Sequence, residues 1–236
     1  MARVLRLRVG DAALVFDGSG RELHVVLTEV SPGRAAARIV EALPPLSGPP
    51  LRITLGQLVP RGPAMDWILA KVTELGVARI VPCEGERSVR RPAERVDRWR
   101  RIIQEAAEQC GRRELPTLAP VLPLDGFLRV RGTAPLVVCV AEADSAPLRE
   151  VCRRLRGASE LTLLVGGEGG FADAELAQLR AEGAVLGSLG PRLLRADTAA
   201  VAAVAVIQAL VGDWQGSARD GRAAGSLDLE DGEESR

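Results

Sequence analysis

Tyrosine is missing from these 236 residues, and only three Phe and three Trp supply aromatic rings. A core must therefore be filled by Ala, Val, Leu and Ile, and a nucleic-acid surface of stacked rings is disfavoured. Lysine is nearly absent too: Lys71 stands alone, every other cation is arginine, and a bias of that kind tracks genomic base composition rather than any partner. The 31 cations offset 31 acids, so net charge argues neither for nor against a polyanion, and only its distribution can steer binding. His24 is the one histidine, and no Ser/His/Asp or Cys/His set assembles around it; packing in a strand is expected instead. Cys83, Cys110, Cys139 and Cys152 form no C-x-x-C pair and no ligand spacing, which predicts reduced, buried thiols and no metal. No targeting segment is read at the start, where Arg3, Arg6, Arg8 and Asp11 break the apolar runs, and the stretch Ala199–Val211 is too short to span a bilayer. A cytoplasmic protein is expected by elimination.

What is present suits a globular chain of one large or two small domains, with 47% apolar and 26% charged residues. From Val4 to Ala42 apolar residues alternate with polar ones between turn signals at Gly10-Asp11, Asp17-Gly18-Ser19-Gly20 and Ser31-Pro32-Gly33, which predicts four short strands of a small barrel. The stretch Pro44-Pro45-Leu46-Ser47-Gly48-Pro49-Pro50 can continue neither strand nor helix and is read as a linker. Beyond it the pattern alternates. Strands are expected at 51–59, 77–83, 136–141, 161–165 and 184–189, and helices at 64–75 with Gly76 as C-cap, 92–110, 146–156, 173–182 and 197–211. The segment 114–125 reads as irregular. Such alternation predicts an α/β domain on a mostly parallel sheet. From Gly216 onward the chain is Gly, Ser, Asp and Glu with little to bury, and a disordered acidic tail is expected. The organisation is thus 1–48 barrel, 51–214 α/β domain and 216–236 tail.

The most informative local feature is LVGGEGGF, Leu164 to Phe171, between a buried strand and a helix. Glycines there let a ligand approach the main chain directly, although a plain tight turn would use the same residues. A nicotinamide fingerprint needs an acid closing the next strand, and here that strand ends in Gly187-Ser188-Leu189-Gly190. A P-loop needs Gly-Lys-Ser/Thr, which the only lysine, flanked by Ala70 and Val72, does not provide. A second crevice-forming loop is SLGPRLLRADTA, Ser188 to Ala199, expected at an adjacent strand end. Pro191 stiffens it, Thr198 or Asp197 is placed to cap the following helix, and Arg195 is read either as a fixed cation beside the pocket or as half of a surface ion pair. Lys71 and Glu74, three apart, most simply pair on a solvated helix face. Residues 87–113 hold nine Arg against four acids, a local excess that would attract phosphate, though Arg101 and Glu105 at i and i+4 belong to an ordinary solvated face.

Taken in order, VLRLRVGD, FDGSG, ILAKVTELGV, ERSV, EAAEQCGR, VGGEGGF and LGPRLLRADTA resemble the RsmE family of 16S ribosomal RNA uridine N3-methyltransferases, of the SPOUT class. The likeness runs nearly end to end. It implies an N-terminal PUA-like barrel that helps hold RNA, a C-terminal α/β domain with a deep trefoil knot, a homodimer, and S-adenosylmethionine as cofactor. Knots are rare exceptions to ordinary connectivity, so periodicity alone would not suggest one. By the same resemblance Val165, Gly166, Gly167, Glu168, Gly169 and Gly170, with Leu189, Gly190, Leu193, Leu194 and Arg195, would wrap the cofactor. Arg195 and Asp197 would be catalytic, and Arg6, Lys71, Arg87, Ser88, Gln109 and Arg112 would face RNA. The chain departs from the pattern at Gly167, where proline is usual, and at Asp197, where glutamate is usual. The remaining alternatives are a SPOUT enzyme acting on transfer RNA and a non-catalytic factor that clamps RNA.

Overall fold

The computed structural model describes residues 7–43, 50–88, 95–142 and 144–215, which fall into two compact units. Arg6, most of the proline-rich linker, the start of the expected 92–110 helix and the acidic tail lie outside the described residues.

In the smaller unit β1 (Ala12–Phe16), β2 (Glu22–Ser31) and β3 (Arg34–Leu43) form an antiparallel sheet in that order. Gly33, at a φ of +89°, turns the β2–β3 hairpin in a conformation that suits glycine. His24 sits on β2 opposite Glu41, its Nδ1 3.5 Å from that carboxylate. Three of the four expected strands are therefore seen. Over the described part of the fourth, Asp11 accepts a hydrogen bond from the Arg8 N–H at 2.6 Å, closing a turn across Val9 and Gly10 where alternation suggested a strand.

The larger unit is built on an eight-stranded parallel sheet. Its strands are β4 (Arg52–Leu58), β5 (Arg79–Glu84), β6 (Thr117–Leu118), β7 (Leu122–Pro123), β8 (Leu136–Cys139), β9 (Ala146–Pro147), β10 (Glu160–Val165) and β11 (Val185–Ser188). The order is β6-β5-β4-β10-β8-β11-β9, with β7 also on β5. Helices α1 (Ala64–Glu74), α2 (Val96–Cys110), α3 (Leu124–Val130), α4 (Leu148–Arg154), α5 (Asp173–Ala181) and α6 (Ala196–Val211) cover it.

Side chains alternate across a strand, so each strand feeds two cores. Ile53, Leu55, Ile80, Val137, Leu161 and Leu163 pack on one face with α1, α2, α4 and α6. Val81, Val138, Leu164 and Leu186 pack on the other with α3 and α5. Covering both faces explains why these strands are almost continuously apolar. The helices follow the same logic: Met65, Ile68, Leu69 and Val72 form the buried stripe of α1, and Trp99, Ile103, Ala106 and Ala107 that of α2. Leu75 caps α1, one residue before the expected cap, and Gly76 at φ +85° then turns the chain. Helix α3 was not foreseen. Its prolines suggested irregular chain, but Pro123, at φ −63°, sits at the N-cap where its missing N–H costs nothing.

Candidate functional site

A cleft of about 560 Å³ opens at the carboxyl ends of β8, β10 and β11. Ligands of α/β sheets bind at this edge, and the volume falls within the range of small-molecule sites. The two loops singled out by sequence do line it, but they do not leave adjacent strands: β8 lies between β10 and β11. Residues Cys139 to Glu142, at the end of β8, therefore form a third wall that sequence reading missed. Phe171, Arg192, Ala196 and Ala199, which lie within those two loops but were not assigned to the cofactor, also line the cleft, as does Leu176, which sequence reading missed. The available signal was the apolar strand LVVC, whose end had to contribute something if it shared the sheet's centre.

The wall leaving β10 is nearly all backbone. Gly170 N–H donates to Gly167 O at 3.0 Å, closing a tight turn, and Gly170 adopts φ +63°. A Cβ on Gly166 would lie 3.3 Å from both Gly170 Cα and the Phe171 ring, so the turn closes this tightly only with glycine. Side chains from elsewhere hold it. Gln57, fully buried at the end of β4, donates through Nε2 to Leu58 O, Val165 O and Gly166 O at 2.9, 3.4 and 3.1 Å. The Glu168 carboxylate accepts the Arg61 N–H at 3.0 and 3.1 Å.

In the second loop Gly190 takes φ +107°, and its N–H donates to Ser188 Oγ at 3.2 Å. The chain bends at Pro191 and Arg192 and is extended at Arg195, which occupies the N-cap position of α6 and forms no side-chain cap. Neither Thr198 nor Asp197 caps the helix as expected. Asp197 falls within the first turn, where its Oδ1 accepts the Thr198 N–H at 2.7 Å and its charge meets the positive helix end. Arg195 is 83% exposed at the cleft rim, and its Nε lies 4.0 Å from Asp197 Oδ1. It is thus a solvent-facing cation with a loose counter-ion, not a fixed one.

The expected RNA contacts separate. Arg87 lines the cleft, where its Nη1 donates to Gly169 O at 3.1 Å and Phe171 O at 3.3 Å. Ser88 Oγ accepts the Gly85 N–H at 3.0 Å within its own turn. Lys71 pairs with Glu74 at 2.7 Å, the simpler of its two readings. Gln109 is exposed on α2. Arg112 is half-buried and donates to Thr73 O at 2.9 Å, capping the last turn of α1, and burial draws its guanidinium below the usual arginine range. None of Lys71, Ser88, Gln109 and Arg112 lines the cleft.

Burial pushes the Cys139 thiol at the cleft wall up to about 12, so it stays neutral and is unsuited to nucleophilic work. Cys83, Cys139 and Cys152 are free and buried, and Cys110 is partly buried. Among the described residues no group of His, Cys, Asp and Glu could hold a metal ion, and no helix is long and apolar enough to cross a membrane.

Residues 47–208 match an RNA methyltransferase domain and residues 1–40 an RNA methyltransferase PUA domain. The chain is 35% identical to the ribosomal RNA small subunit methyltransferase E of Synechocystis sp., over 89% of this chain and 70% of that protein. The crystal structure of a ribosomal RNA small subunit methyltransferase E from Neisseria gonorrhoeae bound to S-adenosyl methionine superposes with a TM-score of 0.82 at 33% identity, covering 90% of this chain and 89% of that one. A methyltransferase of Legionella pneumophila, in complex with the bound cofactor SAM, gives 0.81 at 34% identity, with 90% and 88% covered.

Proposed function

The chain belongs to the RsmE family of RNA methyltransferases, and from that premise we propose that it transfers a methyl group from S-adenosylmethionine to N3 of a uridine in 16S ribosomal RNA. The observation that carries the reading is the cleft itself: the two loops of the resemblance, one of them glycine-rich, converge on one space at the edge of a parallel sheet.

The residues fit the cofactor. Backbone groups of Val165 to Gly170 and of Leu189 to Leu194 offer donors and acceptors for a nucleoside and an amino-acid moiety, and Phe171, Leu176 and Ala199 offer an apolar surface. When bound, S-adenosylmethionine supplies an electrophilic methyl group on a sulfonium. The chain's own contribution is placement, because the target nitrogen must lie opposite the leaving sulfur. Uracil N3 loses its proton in the reaction, and negative charge spreads onto the ring carbonyl oxygens. Arg195, whose only ion contact among the described residues is the 4.0 Å approach to Asp197, is available to meet that charge. Asp197, in the first turn of α6, is bonded to Thr198 and stands 4.0 Å from this arginine as a loose counter-ion. Arg6, Lys71, Gln109 and Arg112 remain proposed RNA contacts by family resemblance. So does the homodimer, which is supported by large apolar side chains exposed on the larger unit, Trp67 at 46% and Trp214 at 52%.

Two measurements test the proposal. Calorimetry with S-adenosylmethionine should give a saturable heat, and a protein that only clamps RNA would give none. Nucleoside mass spectrometry of ribosomal RNA from a deletion strain should show loss of 3-methyluridine from the small subunit; loss of a transfer-RNA modification instead would redirect the assignment. For the homodimer, light scattering on the protein used in the calorimetry should give twice the chain mass.

A further inference from the structure

Arg87 leaves the end of β5 inside a short loop, Gly85 to Ser88, that closes on itself: Gly85 N–H donates to Ser88 Oγ at 3.0 Å and Ser88 N–H donates to Gly85 O at 3.0 Å. This small turn is strapped to the glycine loop at two points. One is the Arg87 guanidinium, whose Nη1 donates to Gly169 O and Phe171 O at 3.1 and 3.3 Å. The other is Glu175, a carboxylate only 9% exposed, which accepts the Glu86 N–H at 2.8 Å and the Ala172 N–H at 2.7 Å. The approach is close along its length. A Cβ on Gly169 would lie 2.9 Å from Arg87 Cβ, and one on Gly85 would lie 2.7 Å from Glu175 Oε1.

The need for a strap follows from composition. Gly166, Gly167, Gly169 and Gly170 leave the loop with large conformational freedom, and a ligand that must order it loses affinity. Gln57 secures the entry of the loop at Val165 and Gly166, and Glu168 ties its middle to Arg61. The far end, Gly169 to Ala172, is held by Arg87 and Glu175.

We infer that Arg87 and Glu175 are positioning residues for the cofactor, preorganising the far half of the glycine loop, and that Arg87 is not primarily an RNA contact. The inference rests on the cofactor reading above and sharpens it. Both side chains act through the backbone of Gly169, Phe171 and Ala172, so their loss weakens cofactor binding and leaves RNA affinity in place.

The test is calorimetry with S-adenosylmethionine on Arg87→Ala and Arg87→Lys, paired with steady-state methylation in which RNA is varied at saturating cofactor. Arg87→Ala should raise the cofactor Kd about tenfold, the loss of two hydrogen bonds, with the RNA KM within about twofold of wild type. Arg87→Lys should recover part of the loss, since an ammonium can still donate but lacks the planar fork. If Arg87→Ala does not fold, Glu175→Gln, which keeps the side-chain shape but turns an amide N–H toward one backbone donor, should raise the same Kd. A wild-type heat with an unchanged variant Kd and a raised RNA KM would overturn this inference alone. A wild-type protein without any heat would remove the cofactor reading and this inference with it.

Discussion

Arg195 is a cleft-lining cation with no carboxylate closer than 4.0 Å among the described residues. Arg195→Ala should lower kcat by about 100-fold or more, the usual loss when a charge-stabilising donor is removed, and shift the cofactor Kd by no more than about threefold. Unchanged turnover would remove the residue from the mechanism. Its neighbours show how far a sequence can be read. The glycines of LVGGEGGF announced a backbone-lined wall, since no other residue permits that approach. What fixes them was largely hidden, because Gln57, Arg61 and Arg87 lie 82 to 109 residues away along the chain and meet the loop only after folding, whereas Glu175 reaches it from three residues beyond Ala172. Gly167, where the family resemblance leads one to expect proline, lacks that residue's covalent restraint, and these hydrogen bonds supply others.

Among the secondary-structure elements, β4 and β10 run side by side in parallel register from Arg52 opposite Glu160 to Gln57 opposite Val165. Gly56 lies in the middle of that pair, and a Cβ there would come within 2.5 Å of the Phe127 ring and 2.8 Å of Leu164 Cδ1. Gly56→Ala should therefore destabilise by about 1–3 kcal/mol through overpacking, seen as a lower urea midpoint with unchanged slope. An unchanged midpoint would mean that α3 yields without strain. Long periodic elements such as α1, α2 and α6 were legible because burial imposes their stripes. Helix α3 and the two-residue strands β6, β7 and β9 were not, since seven residues or fewer carry too little periodicity to outweigh nearby prolines. The strand order was also illegible, and with it the place of β8 between the two recognised loops, because pairing is decided by tertiary contacts.

For the molecule as a whole, the buried thiols set a limit on alkaline tolerance. Desolvation raises Cys83, Cys139 and Cys152 above their usual value of 9.0, with Cys139 at about 12. The folded protein thus holds protons that the unfolded chain gives up. The associated stability is fully present below pH 9 and is lost as pH rises toward the folded values, at about 1.4 kcal/mol per unit for each thiol. Chemical denaturation between pH 8 and 11 should show this fall, and Cys83→Ala should reduce its slope; a flat profile would contradict the burial. The three-walled cleft has a further consequence in time. Its walls leave β8, β10 and β11 and it is also lined by Arg87, so its parts are spread from residue 87 to residue 199 and close only when β4, the first strand of the larger unit, finds β10. A nascent chain still emerging from a ribosome accordingly has no pocket to fill, and the protein gains its ligand only after synthesis has passed α6.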